Sequence, residues 1–236
     1  QLSIPAILGM LSSAIFNIVD RMYIGKLSPY ALTAVGITMP IQIVQMAFIL
    51  LIGIGTSSLI SVKLGEEKKE DAEDILYLAL KYIVIFLIVF AIIFLVFLDS
   101  ILHFLAISEE VLPYAKDYLI IIIVGSIVGI PGYCLNNSLR TIGQAKSSMK
   151  IIIVTSIMNI ILDPIFIFAF DLGIAGAAIA TVISQTTLTI YVIYVFVKRK
   201  DFIINLRKRK VKNEAYLMKE SLRRGLPSFN VQILAS

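Results

Sequence analysis

Apolar residues along this chain come in runs too long for the elements of a soluble domain, and the charges gather between them. Residues 1–19 hold no Asp, Glu, Lys or Arg, and neither do residues 27–62, a stretch long enough for a short loop and a helix. YIVIFLIVFAIIFLVFL (82–98) is a third run, 119–139 a fourth, and IIIVTSIMNIILDPIFIFAF (151–170) a fifth, interrupted only by Asp163. Residues 172–197 make a sixth, and a seventh begins near Leu222. A spanning helix needs about 20 predominantly apolar residues. Backbone in hydrocarbon must satisfy its own hydrogen bonds, so such runs are helices, and none alternates in polarity as a barrel strand would. The pattern predicts an all-α polytopic membrane protein. A six-helix transmembrane lobe covers 1–197, a basic loop 198–221, and the start of helix seven 222–236.

Composition agrees. The 236 residues are 58% hydrophobic and 16% charged, whereas soluble domains average about 45–50% apolar and about 25% charged residues. The net charge of +5 gains meaning from its distribution. Counted alternately from the N-terminus, the connections 63–74, 140–150 and 198–224 hold 17 Lys and Arg. The others hold 3, namely Lys26, Lys116 and Arg21 at the end of the first run. The positive-inside rule then puts the N-terminus and the 198–224 loop in the cytoplasm of a multi-pass protein of the cytoplasmic membrane. KRKDFIINLRKRKVKNEAYLMKESLRRG could be read as a nucleic-acid patch, but its place between two spans fits anchoring at the lipid surface. The lipid bilayer is therefore the expected partner, and nucleic acid is not.

Other chemistry is sparse. The one cysteine, Cys134, excludes an internal disulfide and, in an apolar run, reads as a small buried hydrophobe. The one histidine, His103, reads as a loop or interface residue. The sequence holds no metal-ligand cluster, no phosphate-cradling glycine loop and no cleavable signal peptide. The reading is therefore not an enzyme, and no cofactor is expected. The chain starts at Gln1 and stops inside LPSFNVQILAS, so it is expected to be a piece of a longer protein. LSIPAILGMLSS and RRGLPSFNVQILAS both place a proline, Pro5 and Pro227, in the first turns of a run. That is a weak sign of a lobe repeated in the whole protein.

The ionisable groups inside the runs carry the functional question. Placing a charge in hydrocarbon costs at least about 2.5–3.5 kcal/mol, so such residues face a bundle interior or a watery cavity. Asp163 sits mid-run in NIILDPIFIF with no basic residue within a turn. Asp20 lies toward the outer end of the first run beside Arg21, but adjacent residues do not face one another on a helix. Asn159 and Asp163 share a face at i,i+4, Asn17 and Asp20 at i,i+3, and Thr181 and Gln185 at i,i+4. Pro164 cannot donate to the Ile160 carbonyl and disfavours helical geometry at Asp163, which predicts a free carbonyl oxygen beside a carboxylate. Oxygen groups of this kind suit a small hard cation, or a proton on the acid. LGIAGAAIATVISQ (172–185) is rich in Gly and Ala, which lets helices approach closely around that site. Pro5 and GSIVGIPG (125–132) mark bendable helices, either fixed kinks or moving hinges.

At these residues the chain resembles the multidrug and toxic compound extrusion (MATE) family. VDRMYIGKLSPYALTAVGITMPI (19–41) resembles its first-to-second helix signature, and GIGTSSLISVKLGEEKKEDA (53–72) its second helix and following cytoplasmic loop. NIILDPIFIFAFDLGIAGAAIATVISQ (159–185) resembles the fifth and sixth helices most specifically. Residues 198–224 resemble the inter-lobe linker and 222–236 the start of helix seven, leaving the C-terminal lobe outside the chain. The resemblance implies half of a twelve-helix, two-lobe transporter forming a V around a central cavity. Such proteins export cationic amphipathic compounds in exchange for H+ or Na+ and are expected to be monomers. Carried over, the ion-coupling cluster, which could also hold sodium, is Asp20, Asn159, Asp163 and Thr181. Pro5, Asn17, Gln42, Pro164 and Gln185 are weaker cavity or hinge candidates. Asp163 resembles the DinF-like branch more than the NorM-like branch.

Three other readings compete. A flippase for lipid-linked saccharides of the same superfamily carries anionic cargo and predicts a basic cavity, whereas the charges within the runs are acidic. An intramembrane aspartyl protease could use two membrane aspartates, but its Gly-x-Gly-Asp segment has no counterpart before Asp163, which follows Ile-Ile-Leu. A purely structural or receptor role leaves the acids without a purpose.

Overall fold

The computed structural model describes residues 3–198, 203–207, 211 and 213–234, with side chains from Ile7 onward, and over these residues it is built of helices. Helix α1 (Ser3–Leu27) is joined to α2 (Pro29–Gly65) by Ser28 alone. Extended Ser28 accepts the Tyr30 N–H on its hydroxyl at 3.1 Å, and Pro29 starts the helix where no donor is needed. The short loop expected after residue 27 is thus one residue. With 37 residues, α2 outruns the bilayer's hydrocarbon, which about 20 residues cross.

After α3 (Lys69–Val96) and the short α4 (Leu98–Phe104) come α5 (Leu112–Gly129) and α6 (Pro131–Thr141). The run at 119–139, expected as one span, is therefore two helices meeting at Ile130. Pro131 is the cause: it has no N–H to donate and it sterically disfavours helix at the residue before it. The next long element, α7 (Ala145–Pro164), passes into a π-helical turn (Ile165–Ala169), followed by α8 (Gly173–Lys198) and α9 (Glu214–Leu234). Among the described residues, six elements are long and apolar enough to cross a membrane: α1, α2, α3, α5, α7 with its π turn, and α8.

The kink is pinned from across the bundle. Thr189 of α8 donates its hydroxyl proton to the Gly129 carbonyl at 2.6 Å and accepts the Gly132 N–H at 2.9 Å. Backbone groups freed by the break are thereby satisfied in a buried place. Gly132 must be glycine there, because a Cβ would lie 2.4 Å from the Thr189 Cα.

Two apolar clusters close the two ends of the bundle. One gathers Ile24, Leu98, Leu102, Leu119, Ile167 and Ile174 from the end where α1, α3 and α5 meet the start of α8. The other gathers Leu59, Ile60, Leu76, Leu139, Val192 and Phe196 from the opposite end. Ile204 is buried in this second cluster, and Asn205 donates its N–H to Glu73 Oε1 at 3.1 Å, so segment 203–207 folds back onto the bundle.

The last helix corrects the expected loop boundary. It begins at Glu214, within the stretch expected to be a loop to residue 221, and Pro227 lies inside it rather than in its first turn. Charge density hid the start. Leu217, Met218, Ser221 and Gly225 form a buried stripe at helical spacing against α2 and α3, while Lys219 and Arg223 are exposed.

Candidate functional site

The site grows from a close approach of α8 to the π turn. A Cβ on Gly176 would lie 2.6 Å from the Phe166 carbonyl carbon and oxygen, so the helices touch backbone to backbone there. Ala177, Ala178 and Ala180 are fully buried beside it. The small residues of 172–185 thus do what the sequence predicts, and they bring the next turn of α8, with Thr181, against α7.

Asp163 does not break the helix as expected; α7 runs through it and Pro164. The strain is passed on instead. The Ile165 N–H turns to the Leu162 carbonyl, and further on the Phe170 N–H reaches back five residues to Ile165. A proline that removes only its own donor can be absorbed by such a widened turn, a feature frequent at functional sites.

On this face Asn159 donates through Nδ2 to Asp163 Oδ1 at 3.2 Å and to Thr181 Oγ1 at 3.3 Å. Both amide protons are then committed. Left over are the Asn159 Oδ1 and the Asp163 Oδ2, buried and without a protein partner, and Asp163 as a whole has 0% exposure. Asp20 Oδ1 is a third buried oxygen without a partner. Asp20 is close enough to Asp163 for the two carboxylates to act on one another electrostatically. Three orphaned oxygens suit a proton or a hard cation such as Na+. No cluster of three His, Cys, Asp or Glu exists among the described residues, so the neutral Asn159 and Thr181 oxygens would have to complete any such set.

Next to this cluster lies a cavity of about 300 Å³ bounded by α1, α2, α5, α8 and α9. Asn17, Asp20, Gln42, Thr181 and Gln185, all singled out in the sequence, line it. Asp163 and Asn159 do not; Thr181 and Gln185 stand between the cavity and Asn159. Asn17 is capped onto its own helix through the Ser13 carbonyl at 2.7 Å. Pro164 ends α7 at the entry to the π turn and does not line the cavity. Pro5 belongs to the first turns of α1, and its side chain lies outside the described residues.

Sequence reasoning missed several lining groups. Tyr118 on α5 faces Gln42 and lies near both aspartates. Gln45 donates to Ser126 at 2.9 Å, and Ser126 donates to the Ile123 carbonyl at 2.6 Å, tying α2 to α5. Isolated polar residues within apolar runs were the available signal. Arg21 reaches the Met39 sulfur at 3.3 Å and makes no salt bridge with Asp20 among the described residues, as their adjacency predicts.

Comparison with known proteins adds the relatives. The MatE family model matches residues 5–165. The multidrug export protein MepA of Staphylococcus haemolyticus (strain JCSC1435) is 32% identical over 233 residues, which cover 98% of this chain and 51% of the relative. MepA of Staphylococcus aureus (strain NCTC 8325 / PS 47) is 29% identical over 234 residues with the same coverage. Among solved structures, an outward-facing conformation of a multidrug resistance MATE family transporter of the MOP superfamily superposes with a TM-score of 0.92 at 30% identity. That likeness covers 98% of this chain and 51% of the other. The chain thus spans about half the length of the relatives it matches.

Proposed function

Because the chain belongs to the MatE family, we propose that it is the N-terminal lobe of a secondary-active exporter, moving cationic amphipathic compounds outward in exchange for protons or sodium ions. The observation that carries this reading is the pair of acids at different depths. Asp20 lines the cavity, while Asp163 lies behind it, fully buried and bonded to Asn159.

Two uncompensated carboxylates in a membrane interior are costly, so a counter-ion is favoured. A cationic compound in the cavity can serve Asp20. A proton, or a sodium ion held by the free oxygens of Asp20, Asn159 and Asp163 with Thr181, can serve the whole pair. Occupancy of one weakens attraction for the other, which is exchange by competition for charge. Net transport further requires that inward-open and outward-open states differ in affinity for each. Tyr118, Gln42 and the methionines Met39 and Met46 give the cavity an aromatic and polarisable wall suited to varied amphipathic cargo.

The flippase reading retains one supporting observation, Arg21 at the cavity wall, but Asp20 opposes its charge there. The proposal further holds that the protein works as a monomer in the cytoplasmic membrane, with its N-terminus and the basic loop inside. The test is transport by the full-length protein in vesicles, with pH and sodium gradients imposed separately. Export of a cationic dye driven by either gradient supports the reading; export driven by neither sinks it.

A further inference from the structure

A second cavity, of about 840 Å³, opens away from the acidic site, between α3 and α9. Tyr82, Tyr216, Lys219 and Arg223 supply its polar wall, and Met218, Leu222 and Leu226 its apolar one. It lies where charge gives way to apolar sequence on both helices. Lys81 is the last charge before the run 82–98, and Arg224 is the last before the uncharged residues 225–236. That level is the boundary between water and hydrocarbon, where tyrosines also concentrate.

Among the described residues the basic groups of this groove have no carboxylate partner. Lys219 and Arg223 stand one turn apart and neither forms an ion pair among the described residues. Glu220, the one carboxylate in the wall, is neutralised by Arg224 at 3.1 Å. Tyr82 is held in place by donating to Glu214 at 2.8 Å. Tyr216 is 65% exposed and Leu226 46%. A free +2 charge above an apolar trough, at the membrane boundary, is complementary to an anionic head with acyl chains below it.

We propose that this groove between α3 and α9 is a binding site for an anionic phospholipid of the bilayer, with the phosphate on Lys219 and Arg223 and an acyl chain along Leu222 and Leu226. The site is separate from the acidic cluster and does not depend on the exporter reading. A lipid seated there bridges α3 of the lobe to the helix that follows the basic loop.

The experiment is lipid retention by the full-length protein, measured by native mass spectrometry after exchange into phosphatidylglycerol or phosphatidylcholine. Phosphatidylglycerol is expected to be retained preferentially. Lys219→Gln/Arg223→Gln lowers that affinity about thirtyfold, about fivefold for each lost charge near an anionic lipid. Lys219→Arg/Arg223→Lys restores it, and an unchanged Tm in phosphatidylcholine shows that the double glutamine variant is folded. Equal retention of the two lipids by the parent protein overturns the proposal, and this is also what a groove covered by the C-terminal half would give. Undiminished phosphatidylglycerol binding by a folded double glutamine variant overturns it as well.

Discussion

Asn159 gives one amide proton to Asp163 and the other to Thr181, and so ties α7 to α8 at the most deeply buried acid among the described residues. The bond uses one carboxylate oxygen and leaves the other facing its own burial. An ion or a proton is the partner this geometry lacks. Asp163→Asn has the shape of the neutral state and removes the charge. It is expected to insert and fold normally and to lose ion-coupled export, at least about a hundredfold if roughly 3 kcal/mol of coupling resides in the pair. Asp20→Asn is expected to do the same, and the double variant to be little worse than either, because the two act as one unit. Normal export by Asp163→Asn against an imposed gradient would move the coupling site to the other lobe.

Orientation is tested at two positions on opposite sides. Ser28 closes the single-residue link between α1 and α2, and Asn213 precedes α9. The excess of basic residues in alternate connections predicts that a cysteine at 28 reacts with an impermeant maleimide on intact cells and one at 213 does not. Cys134 is completely buried and adds little background. The opposite labelling pattern would invert the topology.

Whether the break at Pro131 is a fixed kink or a hinge turns on Thr189. Thr189→Val keeps the volume but removes a donor to Gly129 and an acceptor for Gly132, both buried. Each unpaired backbone group costs about 1–3 kcal/mol. The variant is expected to melt lower, with Thr189→Ser close to the parent. An unaltered Tm for Thr189→Val would mean that the kink opens readily and behaves as a hinge.

These three relationships were not equally legible in the sequence. Six crossings follow from charge-free runs because hydrocarbon tolerates few alternatives, and Asp163 stands out because nothing nearby on its helix neutralises it. Gly176 and its alanine neighbours announce a close approach, though not against which helix. GSIVGIPG marked a bendable place in the fourth run, but a span read from charge alone did not show that Pro131 divides it into two helices at Ile130. The early start of α9 was hidden because its charged face masks the stripe Leu217, Met218, Ser221 and Gly225. The π turn after Pro164 has no signature beyond a proline, whose effect depends on whether the following residues can shift register. Tyr118 and the Gln45–Ser126 bond meet across helices, and such pairings are tertiary.

A pH-dependent contact fastens α9 to α3. Glu214 accepts from Lys81 at 2.6 Å and from Tyr82 at 2.8 Å, and hydrogen bonding from Lys81 first, then Tyr82, holds its carboxyl below the ordinary glutamate range. A depressed carboxylate value contributes stability that is fully present above the unfolded value of about 4.3 and is lost as pH falls through the folded value. No change in this contact is therefore expected between pH 6 and 8, as order-of-magnitude limits of that range. Acidification below roughly pH 4 should free the start of α9. Hydrogen exchange at 214–218 in the full-length protein reads this directly, and Glu214→Gln should show at neutral pH the faster exchange that the parent shows only in acid. Equal protection in parent and variant at neutral pH would show that the contact does not hold the helix.

The tightest contact between α2 and α9 is made by glycines on each side. A Cβ on Gly225 would lie 1.9 Å from the Leu51 carbonyl oxygen, and one on Gly55 would lie 2.1 Å from that of Ser221. In both cases the obstacle is backbone, which cannot swing aside as a side chain can. Replacing glycine by alanine in a helix interior ordinarily stabilises by about 0.5–1 kcal/mol. Here overpacking, worth about 1–3 kcal/mol or more, should exceed that gain and force the helices apart. Gly225→Ala and Gly55→Ala are therefore expected to lower the Tm, whereas Gly36→Ala, with nothing within 4 Å of its Cβ, should leave it unchanged or raise it. The measurement is thermal unfolding of the full-length protein. If Gly225→Ala melts no lower than Gly36→Ala, α2 and α9 do not pack backbone to backbone in the bilayer.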